Sequence, residues 1–348
     1  MLCCSLAFAQ EAEEEGTVLK FIPRFDVNPY VGLSDNSNAP GFSLGNSSLY
    51  TLFEGNFGES DFSYSAEGHW LSAYPSELYS QPNFTNWLDW AYVNYNKNLF
   101  NFSIGKQILA AGTFEEDAYD FDSHFDLNTT FWNNLPSYVW GAQASFGTED
   151  DYLAFQLSNS PFAEEGPFSD KLLAYNFKVA TSSDFTSTLT SFNLMNTPSG
   201  ESIKMLAIGE MVSFGDFDFV VDAAFRGFDK INDEKSLALS LVWNASDSFD
   251  FTLKGGLEKL KSGYEDVLGW NPADGGEDLY DYFVPASLEQ FYALKSAKSY
   301  SFAGALVNWY PMDDLRVHAV ASYNNWSNSL SLNAGITYYF GLAKFIRK

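Results

Sequence analysis

Between residues 110 and 135 the chain carries Glu115, Glu116, Asp117, Asp120, Asp122 and Asp126 and no lysine or arginine. Carboxylates in such number either bathe in solvent or, brought into a narrow low-dielectric passage, focus a negative potential that favours cations. Six basic residues, Lys20, Arg24, Lys178, Arg226, Lys254 and Arg316, sit on the polar parity of alternating segments. They are placed to oppose the acids as a basic wall, or to pair with carboxylates of the same parity such as Asp26, Glu67, Asp89, Asp222 and Glu258. Other chemistry is sparse. The three histidines, His69, His124 and His318, are scattered, and no Gly-x-Ser-x-Gly occurs. His124 with Asp120, Asp122 and Asp126 offers oxygen ligands to a hard cation, but the spacing matches no calcium loop. Carboxylates are so abundant that no pair stands out as a glycosidase dyad. The sequence therefore predicts no catalytic, cofactor or metal site, and no enzyme.

The composition limits what could position these residues. The chain has 348 residues, with 45 Asp plus Glu against 19 Lys plus Arg, a formal charge of -26. A protein that binds nucleic acid by neutralising phosphate is excluded. Charged residues are 18% and aromatics 18%, so a large apolar surface must find an apolar partner. Yet no apolar run approaches the ~18 residues of a transmembrane helix, and mean hydropathy is -0.18. A large soluble all-β protein and a transmembrane β-barrel remain. Residues 1–9 read as the remnant of a signal peptide, closing on Ala7-Phe8-Ala9 and holding the only cysteines, Cys3 and Cys4. Residues 10–17 read as an acidic periplasmic leader, and the chain from Gln10 onward offers no thiol for a disulfide or a metal.

Alternation supplies the elements. Leu330, Leu332, Ala334, Ile336 and Tyr338 alternate with Ser331, Asn333, Gly335 and Thr337; Phe21 and Phe25 alternate with Lys20, Arg24 and Asp26. These are period-two strands with one apolar face. Sixteen such segments are centred near residues 24, 53, 67, 91, 103, 141, 155, 176, 190, 208, 221, 240, 253, 303, 319 and 335. Their connections sort by parity. Even-numbered junctions are tight and polar, as at Asn96-Lys97-Asn98 and Gly215-Asp216, while odd-numbered ones include the long segments 34–48, 75–84, 110–135, 160–171 and 261–292. A closed antiparallel barrel of sixteen strands spanning residues 18–342, with a C-terminal tail at 343–348, accounts for this segregation. A soluble sandwich does not.

On these features the chain resembles bacterial outer-membrane porins over nearly its whole length. The aromatic closing run Gly335-Ile336-Thr337-Tyr338-Tyr339-Phe340 and the segment Phe102-Ser103-Ile104-Gly105-Lys106-Gln107 add to the likeness, the latter being similar to a strand of phosphate-selective porins. The resemblance implies an outer-membrane location, contact with lipid, small hydrophilic solutes or ions as cargo, a homotrimer, and a third loop folded into the lumen. Glu115, Glu116, Asp117, Asp120, Asp122 and Asp126 would then line the constriction, making a diffusion channel that leans towards cations. The alternative is a barrel plugged by its loops that serves as a structural, assembly or adhesion component of the envelope.

Overall fold

In a computed structural model the described residues are 17–32, 41–43, 47–72, 87–117, 127–129, 132, 135, 138–163, 172–197, 200–228, 230–259, 299–325 and 328–341. The leader at 1–9, most of 10–17, the acidic run at 261–292, the tail at 343–348 and His124 fall outside them. The strands are β1 Val18–Gly32, β2 Ser48–Asn56, β3 Phe62–Ser72, β4 Leu88–Lys97, β5 Phe100–Ile108, β6 Tyr138–Gly147, β7 Tyr152–Asn159 and β8 Leu173–Ser182. They continue as β9 Thr186–Asn196, β10 Ser202–Phe214, β11 Phe217–Gly227, β12 Glu234–Ser246, β13 Phe249–Lys259, β14 Ser299–Met312, β15 Leu315–Asn324 and β16 Ser329–Tyr338. Phe340–Gly341 prolongs β16 along β1, and a three-residue strand, Gly41–Ser43, also pairs with β1. Each strand pairs antiparallel with its sequence neighbour, and β1 pairs with β16, so the sheet closes on itself. The result is a sixteen-stranded barrel, with one strand at each of the positions expected from alternation.

The distribution of side chains decides between barrel and sandwich. Phe25 is 58% exposed, Leu332 47% and Ile336 49%, whereas Arg24 is 4% exposed and Asp26 is fully buried. A soluble protein hides its large apolar residues and almost never buries unpaired charge. On strands such as β1 and β16 the order is reversed, because the apolar face is turned to hydrocarbon and the polar face to the interior; β10 departs from it, with Ile203 and Met205 buried and Lys204 exposed. Trp70 lies near the loop ends of the strands, Trp243 and Trp309 near the turn ends, all exposed, which is where headgroup-level aromatic girdles belong. No helix among the described residues is long and apolar enough to cross a membrane.

One strand breaks the alternation. Lys106 shares parity with the outward Phe102 and Ile104, yet it is buried, and its Nζ donates to the Leu88 carbonyl at 2.6 Å. The cause is Gly105, whose φ of 141° lies in a region that side chains disfavour. A Cβ there would overlap the Ala91 carbonyl oxygen. The kink turns Lys106 and Gln107 away from lipid together, leaving Ile108 exposed on the outer face.

Candidate pore constriction

All six basic residues of the polar parity are on the inner face and buried: Lys20, Arg24, Lys178, Arg226, Lys254 and Arg316. Carboxylates of the wall engage several of them. Arg24 on β1 donates to Asp26 Oδ2 through Nε at 3.0 Å and through its terminal nitrogen at 2.6 Å. Arg226 on β11 bridges Glu234 on β12 at 3.0 Å and Glu258 on β13, and reaches Ser236 Oγ at 3.3 Å. Arg316 on β15 donates to Thr337 Oγ1 at 3.2 Å. A buried charge is tolerated only where partners replace its lost hydration, and removing one partner is costly. These pairs accordingly fix the wall.

The segment after β5 is hydrogen-bonded, through its described residues, to side chains of the wall. Its first residues lie along a ladder of amides. Gln156 on β7 donates to the Ile108 carbonyl at 2.8 Å and accepts from the Ala110 N–H at 2.9 Å. Asn176 on β8 donates to Gln156 at 3.0 Å, and Asn193 on β9 donates to Asn176 at 2.9 Å and to the Ala110 carbonyl at 3.3 Å. The Gly112 N–H reaches Ser191 Oγ at 2.9 Å. Asp222 on β11 then accepts from Thr113 Oγ1 and from the Phe114 N–H at 3.1 Å. It thereby satisfies a donor at the start of the short helix Phe114–Asp117, whose first N–H groups have no partner within the helix.

Apolar contacts complete the attachment. Phe114 is fully buried against Ala180, Leu189 and Val220 near the turn ends of β8, β9 and β11. Leu109, Ala111, Trp132 and Leu135 join Val139, Ala174, Met195, Ile203 and Met205 nearer the loop ends of β6 and β8–β10. Leu127 packs on Ala238, Tyr300, Phe302, Leu306 and Val320 across β12, β14 and β15. Between Phe114 and Leu127 the charged contact is made. Glu115 accepts from the Thr129 N–H at 2.7 Å and lies 3.8 Å from Lys254 Nζ, which donates to Asn128 Oδ1 at 2.5 Å. Burial pushes the Glu115 carboxyl above its ordinary range, and Lys254 and Thr129 pull it back.

Of the six acids read from the sequence, Glu115 is buried and paired, Glu116 is half-buried, and Asp117 closes the short helix; Asp120, Asp122 and Asp126 lie outside the described residues. Among the described residues, Glu115 of the acidic set meets Lys254 of the basic set. Arg24 and Arg226 answer to wall carboxylates instead. Sequence reasoning missed the residues that hold the segment: Gln156, Asn176, Ser191, Asn193, Phe114 and Leu127. Their parity was readable, but nothing in a strand marks which inward amide will meet a loop distant in sequence. His69 lies 3.8 Å from Asp89 and 4.3 Å, ring to ring, from Tyr50. His318 Nε2 lies 2.8 Å from Asn333 Oδ1, an acceptor, so the bond forms in the tautomer that carries its proton on Nε2. No cluster that could hold a metal ion occurs among the described residues.

No protein-family model and no curated protein matches the sequence. Solved structures do match. OmpT, an outer membrane protein of Vibrio cholerae, solved as a loop-deletion mutant, aligns with TM-score 0.60 at 12% identity over 94% of this chain and 100% of that one. Its in-vitro folded trimer form gives 0.56 at 10% identity over 94% and 100%. The outer membrane channel DcaP of Acinetobacter baumannii gives 0.58 at 13% over 93% and 97%, and a mutant of the Rh. blastica porin 0.55 at 13% over 93% and 100%. At these identities the likeness is one of fold. The chain has the barrel fold of bacterial outer-membrane porins.

Proposed function

We propose that this barrel is an outer-membrane porin, a passive diffusion channel for small hydrophilic solutes, in which the segment 110–135 narrows the lumen and tilts selectivity towards cations. The observation that carries this reading is the attachment of residues 110–115 and 127–129 to inward side chains on β7, β9, β11 and β13. On this reading the solute path runs along the wall of β1–β4. That wall carries Asp26, Glu54, Glu67 and Asp89 with Lys20 and Arg24, and the chain as a whole has a charge of -26. Acids in excess along a water-filled, low-dielectric passage favour cations. Location in the outer membrane and a homotrimeric state are parts of the same proposal, supported by the apolar band and by the OmpT trimer form.

One observation favours the alternative, a barrel closed by its loops and serving the envelope as a structural or adhesion component. Lys20, Arg24 and Arg316 are each no more than 9% exposed although they line the inner wall. Incorporation of the purified protein into a planar lipid bilayer separates the two. Stepwise conductance increases support the porin, and insertion without conductance supports the plugged barrel.

A further inference from the structure

The barrel closes where β16 pairs with β1, and the outer face of that seam contains no information about register. Phe25, Val27 and Val31 of β1 meet Ile336, Ala334 and Leu330 of β16, and Phe21 meets Phe340, so a slip of two residues would set apolar against apolar again and keep every side chain on its own side. Something inside the barrel must choose. Arg24 lies opposite Thr337 and Asp26 opposite Gly335; on the other flank of β16, Arg316 lies opposite Thr337 and His318 opposite Gly335. Asp26 and His318 thus stand on strands two apart, roughly 10 Å between backbones. Nevertheless Asp26 Oδ1 lies 3.5 Å from His318 Nε2, with both side chains fully buried. They meet across the one inward position between Ser331 and Thr337, Asn333 aside, that has no side chain. A Cβ at Gly335 would overlap Asp26 Oδ1 and come within 2.5 Å of His318 Cε1. Asn333 closes the set, with Oδ1 2.8 Å from His318 Nε2 and Nδ2 donating to Asp26 Oδ2 at 3.4 Å.

We propose that Gly335, Asp26, His318 and Asn333 form a register lock for the closing seam: the gap over Gly335 admits the Asp26 carboxylate to His318 in one pairing of β1 with β16 and in no other. Slipped by two residues in either direction, Asp26 would face Asn333 or Thr337, each of which carries a side chain where the carboxylate must lie. Asp26 would keep its pair with Arg24 on the same strand but lose His318, and a buried carboxylate stripped of one of its partners is penalised. The lock acts on how the barrel closes and does not depend on what passes through it.

Cross-linking reads the register directly. In the full-length chain with Cys3→Ser and Cys4→Ser, cysteine pairs on the lipid face at positions 25 and 336, 25 and 334, and 25 and 338 report the native pairing and the two slips. With the lock intact, oxidation should link 25 to 336 and not 25 to 334 or 338. With Asp26→Ala and His318→Ala together, the apolar seam still closes, and the 25–336 product should fall while 25–334 or 25–338 products appear. Gly335→Ala alone should lose the 25–336 product, through slippage or through failure to yield a heat-resistant folded band. Adding Asp26→Ala and His318→Ala to Gly335→Ala should restore the folded band. A native 25–336 link persisting unchanged in the Asp26→Ala/His318→Ala chain or in the Gly335→Ala chain overturns the proposal, as does a Gly335→Ala chain whose folding defect survives removal of both partners.

Discussion

Removing the Asp222 carboxylate should release the loop from the wall without unfolding the barrel. Asp222 accepts two bonds from the loop, one from Thr113 Oγ1 and one from the Phe114 N–H. Hydrogen bonds to a charged group contribute about 1.5–3 kcal/mol each, so Asp222→Ala lowers the preference for the docked loop by about 3 kcal/mol at the low end. That is roughly a 100-fold fall in the ratio of docked to released loop. Phe114→Ala removes a fully buried ring from its site on Ala180, Leu189 and Val220, at a further cost of roughly 3–5 kcal/mol. The strand ladders are untouched by either change, since β11 keeps its pairing with β10 and β12. Single-channel recording is the assay. Asp222→Ala should raise mean conductance and add open-channel noise, the pair with Phe114→Ala should do so more strongly, and Asp222→Asn, which keeps an acceptor at Oδ1 but not the charge, should fall between wild type and Asp222→Ala. Heat-resistant migration on gels should persist in all three. If the double variant folds and its conductance equals that of wild type, residues 110–115 do not limit the pore and the reasoning from these contacts fails.

On the outer face, Leu332→Arg places a charge in hydrocarbon at about 2–4 kcal/mol and should lower the temperature at which the folded band is lost; Ser331→Arg, on the inner parity, should cost much less. Asn333→Arg should also be damaging, because Asn333 is bonded to His318 and Asp26, and the contrast with Ser331 is visible in the same melting series. Gly105→Ala forces a side chain into the Ala91 carbonyl at a positive φ, so the variant should refold poorly in detergent, whereas Gly58→Ala, also at a positive φ but with open space around it, should lose only about 1–2 kcal/mol and refold better than Gly105→Ala. Acidification should weaken cation preference early: burial raises the Glu115 pKa, so this carboxylate takes up its proton at a pH above the ordinary glutamate range as pH falls, and the first part of the shift in reversal potential should vanish in Glu115→Gln. In whole cells, an added protease should cut within 261–292 and spare the turn at 182–184, as two sides of one membrane require.

The fold was legible because each strand repeats one physical rule. Lys20 and Phe21, or Thr252 and Leu253, tell the two faces apart wherever they occur, and a tight Gly215-Asp216 against a long 110–135 tells the two ends apart. The rule breaks at Lys106, whose shared parity with Phe102 and Ile104 left snorkelling at the rim or a bulge as readings and where Gly105 supplies a kink; the glycine was present in the sequence, but its φ is a property of the closed sheet. At the candidate site the inward basic residues were legible one by one, and their partners were not. Arg226 reaches Glu234 and Glu258 because two strand registers bring them side by side, and Glu115 reaches Lys254 over a separation in sequence that no local pattern encodes. The anchoring of Phe114 and Leu127 is hidden for a further reason: an apolar residue in a loop has the same composition whether it meets lipid, solvent or a wall.

Reversal potential under a salt gradient measures most directly whether a passage bounded by the acidic segment leans towards cations. With purified protein in a neutral bilayer and a potassium chloride gradient, wild type should show a reversal potential of the sign set by cations, larger at low salt where screening is least. Neutralising Glu115, Glu116, Asp117, Asp120, Asp122 and Asp126 to Gln or Asn should move it towards anions. A wild-type channel that already prefers anions, or a six-fold neutralised channel with an unchanged reversal potential, would contradict the account.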